Sequence, residues 1–275
     1  MLLLLSPAKT LDYESPLPDA VTASFDALRP AATAPQYAAR SAELIATLRT
    51  KSSSDIAALM DLSDDLARLN AARYKAWSSR ATARNSRPAM WAFDGDVYDG
   101  LQALSLGAED IAWAQRHLLM LSGLYGVLRP LDRLQPYRLE MGTALATGHG
   151  PNLYAFWGAT VADHLNKLQA REREPVVVNL ASQEYFKVTQ ARLGRAKVLR
   201  ARVVECVFED WKAGEWKVIS FFAKRARGMM ARHAIETRAG SPRELEGFAS
   251  AGYAFAPRAS EPDRLVFRRR HVPAT

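Results

Sequence analysis

The chain has 275 residues, of which 48% are hydrophobic and 24% charged, and a formal net charge of +8. This is the composition of an ordinary globular protein, and it excludes a disordered tract, a fibrous repeat and a disulfide-built scaffold. A single cysteine, Cys206, excludes an intramolecular disulfide and a cysteine-based metal cluster and favours a cytoplasmic location.

The run Met1 to Leu5 is too short to span a bilayer and lacks the basic start of a signal peptide, so no membrane role is expected. It predicts a buried β-strand. Helical spacing covers 37–49 and 55–77; in the second, Leu59, Leu62, Leu66 and Leu69 form a stripe behind Ser54 as N-cap, with Asn70 and Arg73 beside it. Asp94-Gly95-Asp96 reads as a turn, far short of a calcium loop. Further helices are expected over 109–121 and 153–170, the latter capped by Asn152. The second half predicts strands over 176–180, 197–208, 216–222 and 265–268. The middle two form a hairpin across Glu209 to Glu215. A last helix over 224–238 stops at Gly240 and Pro242.

No internal repeat or Pro/Gly/Ser-rich linker divides the chain. The expected fold class is α/β, a mixed β-sheet flanked by helices in one domain over 1–275. His117, His149, His164, His233 and His271 are scattered, and Gly107, Gly148 and Gly150 form neither a GxGxxG nor a phosphate-binding loop. No cofactor or metal is expected.

Two features point to function. The first is charge: from Lys187 to Arg232 there are twelve Lys or Arg against four Asp or Glu, and the rest of the chain balances at twenty-five of each. Such a block attracts phosphates, as a nucleic-acid surface does, although a solvated basic face would look the same. The second is the polar exit of two apolar strands. Leu2 to Leu5 runs into Ser6-Pro7-Ala8-Lys9, and Val176 to Ala181 into Ser182-Gln183-Glu184 and Lys187; a third strand, Val218 to Phe222, would lead into Lys224. If the first two are parallel neighbours, their exits share the sheet edge where α/β proteins bind ligands. Lys9, Glu184, Lys187 and Lys224, with Arg138 and Glu140 from the segment 136–142, then form either a pocket for an anionic or phosphorylated ligand or an ion-pair network tying loops to the sheet. The residues alone favour neither. Two carboxylates and two lysines also suffice for acid and base chemistry.

After the helix ending near Leu121, Ser122-Gly123-Leu124-Tyr125-Gly126-Val127-Leu128-Arg129-Pro130 resembles a helix-hairpin-helix, in which glycines let backbone N–H groups approach a DNA phosphate. Its spacing is G-x-x-G rather than G-x-G, and a plain turn would use the same glycines.

Together Ser6 to Thr10, Phe93 to Tyr98, Leu121 to Gly126, Pro136 to Gly142, Asn179 to Lys187 and Ile219 to Gly228 resemble the YaaA family, the peroxide-stress proteins of bacteria, in order from residue 1 to about 256. The resemblance implies a soluble cytoplasmic protein that supports resistance to hydrogen peroxide, limits iron-driven oxidative damage and binds DNA through a positive cleft. Carried over by position, the DNA contacts would be Gly123, Tyr125, Gly126 and Arg129 of the hairpin and Lys224, Arg225, Arg227 and Arg232 of the cleft. The chain departs from the family in the stretch Thr22 to Ser54 and at Arg268 to Arg270. Two functions therefore compete. One is a stress protein that recognises duplex or branched DNA by shape and backbone. The other is an enzyme or small-ligand binder acting on a nucleotide or other phosphorylated compound through Lys9, Arg138, Glu140, Glu184 and Lys187.

Overall fold

The computed structural model describes residues 1–19, 21–23 and 32–270; His271 and part of the stretch from Thr22 to Ser54 lie outside them. The main sheet has eight strands: β1 (Leu2–Leu5), β2 (Leu118–Ser122), β3 (Gly126–Leu128), β4 (Val176–Leu180), β5 (Arg202–Lys212), β6 (Glu215–Lys217), β7 (Ala254–Phe255) and β8 (Arg264–Arg269). Their order is β7-β8-β5-β4-β1-β2-β3, with β6 paired to the far end of β5. The five central strands β8, β5, β4, β1 and β2 are parallel, and β7 and β3 close the two ends antiparallel. This is the expected mixed sheet, and helices flank it.

Burial follows residue pattern. Every residue of β1, β2 and β4 is buried, as continuous apolar strands covered on both faces must be. In β5 the pattern alternates, with Val204, Cys206, Phe208 and Asp210 inward. Phe208 stacks on Phe267 and meets Phe248 and Tyr253 edge-on beneath that face.

The flanking helices include α1 (Ala38–Arg49), α2 (Ser53–Met60), α3 (Asp64–Ala76), α4 (Asp96–Leu101), α5 (Ala108–His117), α6 (Leu153–Trp157), α7 (Thr160–Leu168), α8 (Gln183–Phe186) and α9 (Ser220–Thr237). Several depart from expectation. The helix over 55–77 is two: Asp61 turns left-handed (φ 51°) and ends α2, and Ser52, not Ser54, caps it in a reciprocal box with Asp55. The break resets the helical phase. Leu66 and Leu69 are therefore exposed, and Ala67, Asn70 and Tyr74 face inward. The helix over 153–170 is likewise split at Gly158, while Asn152 caps α6 as expected by accepting from the Ala155 N–H at 3.0 Å.

The helix expected to reach 121 stops at His117, and Leu118–Ser122 is strand β2. A short run of Leu and Met has no period of its own, and the open edge of β1 decides its conformation. The strand expected over 197–208 lies instead at Arg202–Lys212, and its turn is the tight Ala213-Gly214. The strand expected over 216–222 ends at Lys217; Ser220 already opens α9, so no third strand leads into Lys224.

Candidate functional site at the carboxyl edge of the sheet

Strands β4, β1 and β2 are parallel neighbours, with Leu5 in register with both Leu180 and Met120, so their carboxyl ends share one edge. The exits are joined there: Ser6 Oγ accepts from the Ser182 N–H at 2.9 Å and lies 3.4 Å from Ser182 Oγ. The Tyr98 hydroxyl donates to Ser6 O at 3.1 Å.

Across this edge runs the segment 137–142, held at each step. Tyr137 OH and Ser122 Oγ are 2.6 Å apart at the end of β2. The Tyr74 hydroxyl, from α3, donates to the Arg138 carbonyl. Gly123 lets the next residues pass so close that a Cβ there would sit 2.2 Å from Leu139 O. Gly142 N–H donates to Glu184 Oε1 at 2.8 Å.

The segment delivers Arg138 and Glu140 to the exit of β1. Glu140 Oε1 receives Arg138 Nε at 3.1 Å and Lys9 Nζ at 3.4 Å. The Arg138 and Glu140 side chains are only 17% and 16% exposed, whereas Lys9 is 68% exposed. Glu140 Oε2 is buried and has no hydrogen-bond partner among the described residues. Of the five pocket candidates, Lys9, Arg138 and Glu140 thus meet directly, and Glu184 joins them through Gly142. Lys187 stands one step further out, its Nζ 4.7 Å above the ring of Tyr154, whose hydroxyl donates to Glu184 O at 2.9 Å. Lys224 forms no ion pair with these five among the described residues; its Nζ lies 4.0 Å from Asp96 Oδ2.

Tyr74 is the residue whose part in this site the helical stripe conceals. The signal was available: polar side chains at 70, 73 and 74 cannot lie beside a buried stripe without reaching something polar, and the phase break turns that side inward.

The residues expected at a DNA surface divide in two. Leu118–Ser122 and Gly126–Leu128 pair antiparallel, so the helix-hairpin-helix-like element is a β-hairpin. Gly123, Tyr125 and Gly126 are buried; Trp157 Nε1 donates to Gly123 O at 2.9 Å, and Trp77 Nε1 donates to Tyr125 OH at 3.0 Å. Arg129 closes its own turn on buried Asp132 at 3.1 Å. Arg232 bonds Gln102 O at 3.0 Å, Ser105 Oγ at 2.7 Å and Glu236 at 2.8 Å, binding α9 to the end of α4. Arg227 lines a small cavity of about 180 Å³ with Gln183, Glu205 and Cys206. Lys224 and Arg225 are exposed, and Arg225 borders a groove of about 770 Å³ that also holds Asp12, Asp94, Asp96 and Asp99. A second exposed group of the basic block lies earlier in the chain. Arg192, Arg195, Lys197 and Arg200 are all exposed on a two-stranded hairpin, Arg192–Leu193 against Ala196–Lys197, and the residues after it.

The sequence profile described as peroxide stress protein YaaA matches residues 1–259. The chain belongs to this YaaA family of peroxide stress proteins. Relatives named UPF0246 protein cover it almost end to end: one from Verminephrobacter eiseniae is 61% identical over 270 residues, 98% of each chain, and one from Leptothrix cholodnii is 61% identical over 269 residues, again 98% of each. A third, from Bordetella petrii, is 57% identical over 270 residues, 98% of this chain and 100% of its own.

Peroxide stress directs attention to thiols, and this YaaA-family chain has one. Cys206 is buried on the inner face of β5, and burial pushes its thiol up to about 12 despite the nearby Arg227. It is protonated at neutral pH and inert as a nucleophile. Among the described residues no group of three or more His, Cys, Asp or Glu is arranged to hold a metal ion, and no helix is long and apolar enough to cross a membrane.

Proposed function

We propose that this YaaA-family protein acts in the peroxide stress response by binding a small phosphorylated ligand, such as a nucleotide, at the carboxyl edge of β1 and β4. The observation that carries this reading is the meeting of Lys9 and Arg138 on one oxygen of Glu140 while its other oxygen is buried without a partner among the described residues. An ion-pair network built only to hold loops would satisfy both oxygens, because a buried acceptor left open costs about 1–3 kcal/mol. Lys9, mostly solvent-exposed, adds little as a surface ion pair and more as a mobile cation at the mouth of a site. Glu140 and Glu184 with Lys9 and Lys187 supply the groups that acid and base chemistry on such a ligand needs.

The test is calorimetric titration of the full chain with a nucleoside monophosphate. The expected result is saturable binding that Arg138→Met or Lys9→Met weakens about tenfold, the loss of one charge-assisted contact. Absence of binding, or variants that bind like the wild type, would end the reading.

A second reading keeps DNA as a partner, and the specific observation in its favour is the exposed row Arg192, Arg195, Lys197 and Arg200, with Lys224 and Arg225. It is contact with the phosphate backbone of duplex or branched DNA, salt-dependent and indifferent to sequence. Gly123, Tyr125, Gly126, Arg129, Arg227 and Arg232 serve the fold in this reading. In both readings the limitation of iron-driven damage is indirect. Labelled duplexes that show no shift at low salt would remove DNA as a partner.

A further inference from the structure

Arg227 is a half-buried cation without a partner. It lies within α9 and makes no hydrogen bond or ion pair among the described residues, whereas Arg232, later on the same helix, bonds Gln102, Ser105 and Glu236. Its place is fixed. The next residue, Gly228, passes so close to α4 that a Cβ there would sit 1.8 Å from Val97 O, and a Cβ on Gly100 of α4 would sit 2.0 Å from Arg225 O. The helix therefore cannot shift to bring Arg227 a counter-charge.

Arg227 lines the cavity of about 180 Å³ beside the ends of β4 and β5. Glu205 lines it too, in register with Asn179 at the end of β4, and its Oε1 accepts from Gln183 Nε2 at 3.1 Å. The two charges share this small space without forming an ion pair, which leaves a gap between a fork of donors and a pair of acceptors. Partly buried charges left apart are costly, and a group that meets both at once relieves them together. Much of the remaining lining is apolar, with Val207, Val218 and Ala223, and suits the faces of a flat ring. The volume is that of about six waters, below the range of about 300–1,000 Å³ that encloses a complete small ligand. The cavity takes one ring system and leaves what is attached to that ring outside.

The ring must offer paired acceptors to the fork and paired donors to the carboxylate. Among the nucleic-acid bases guanine alone does so, with O6 and N7 adjacent on one side and N1–H and N2–H on the next. Adenine presents a donor in place of O6, and cytosine and uracil lack the paired donors.

We infer that this cavity binds the guanine base of a nucleoside or nucleotide, Arg227 donating to O6 and N7 and Glu205 accepting from N1–H and N2–H. The inference goes beyond the sheet-edge reading and does not depend on it. The cavity lies on the β5 side of β4, whereas Lys9, Arg138 and Glu140 gather at the exit of β1; α8 sends Gln183 to the first and Glu184 to the second.

The experiment is calorimetric titration of the full chain with guanosine, inosine, adenosine and guanosine monophosphate, using wild type, Arg227→Met, Arg227→Lys, Glu205→Gln and Arg138→Met, with melting temperatures taken to establish that each is folded. Wild type is expected to bind guanosine at least about tenfold more tightly than adenosine, and than inosine, which lacks the N2 amino group. Arg227→Met should weaken guanosine about tenfold, and Arg227→Lys, which keeps the charge and loses the fork, should recover part of that. Glu205→Gln should abolish the preference for guanosine over inosine, which a loss of packing alone would not do. If guanosine does not bind wild type, or adenosine binds as tightly, the base assignment is refuted. If Arg227→Met and Glu205→Gln both bind guanosine within about twofold of wild type, the cavity is not the site. Guanosine monophosphate separates the two readings. Binding that Arg138→Met weakens and the Arg227 and Glu205 variants do not would uphold the sheet-edge site and overturn this one. Binding no tighter than that of guanosine, and unchanged in Arg138→Met, would uphold the cavity and end the sheet-edge reading.

Discussion

Two glycine-containing hairpins carry the contrast in this molecule. The turn from Gly123 to Gly126 joins β2 to β3 inside the protein, with Leu139 on one side and Trp157 on the other. The hairpin Arg192–Lys197 turns at Gly194, in open solvent, with three basic side chains around an exposed Leu193. By motif the first is the one that should touch phosphate. By position only the second is free to do so. A glycine marks a place where the backbone needs room, and the neighbour that takes the room is as often the protein's own chain as a ligand.

The sharpest way to break this contrast is Gly123→Ala. Its new Cβ would lie 2.2 Å from the carbonyl oxygen of Leu139, a backbone atom that cannot rotate away. A loss of about 3 kcal/mol or more in urea unfolding is expected, together with loss of ligand binding, since the segment carrying Arg138 and Glu140 must move. A variant within about 1 kcal/mol of wild type would mean that the turn is not held as described.

Reversing Arg192, Arg195 and Lys197 to Glu should act in the opposite sense. Stability should change by about 0.5 kcal/mol or less, as for other exposed positions, while affinity for duplex DNA at low salt falls about tenfold or more and its salt dependence flattens. Unchanged DNA affinity would leave this hairpin as a solvated face and nothing more. A stability cost smaller than that of Gly123→Ala is expected from Gly194→Ala, where φ is +61° and no atom stands within 4 Å. Backbone strain, partly offset by a stiffer unfolded chain, sets its cost at about 1 kcal/mol. A loss as large as that of Gly123→Ala would show that the exposed hairpin is packed after all.

The smallest effect separates inside from outside by chemistry. With its thiol pushed up to about 12 by burial, Cys206 in native protein at about pH 8 should resist alkylation by iodoacetamide and react only after unfolding. Rapid labelling, read by mass spectrometry, would place the inner face of β5 in contact with solvent and reopen a role for the thiol in sensing peroxide.

Much of the site was legible before the structure. Leu2 to Leu5 and Val176 to Leu180 are continuous in apolar character but for Asn179, as strands covered on both faces are, and the parallel pairing on which a shared edge for Lys9 and Glu184 was conditional is present. Arg138 and Glu140 came from the segment 136–142, where polar and apolar residues alternate and the structure buries the apolar Tyr137, Leu139 and Met141. Tyr74 was obscured because the leucine stripe over 55–77 runs through two helices. The left-handed turn at Asp61 shifts the phase, and a single residue in that conformation leaves no trace in a hydrophobic pattern.

What the sequence determined by itself was therefore composition of faces: which strands are buried, where they turn polar, and that the positive charge is concentrated between Lys187 and Arg232. Tertiary structure alone decided partners. Leu118 to Ser122 could have continued a helix until β1 offered an unpaired edge, and Gly123 could have faced a phosphate until Leu139 filled the space. Arg232 could have joined a DNA surface until the end of α4 took its hydrogen bonds. Local pattern sets what a residue needs, room or burial or a counter-charge, and the nearest group in space, not in sequence, supplies it.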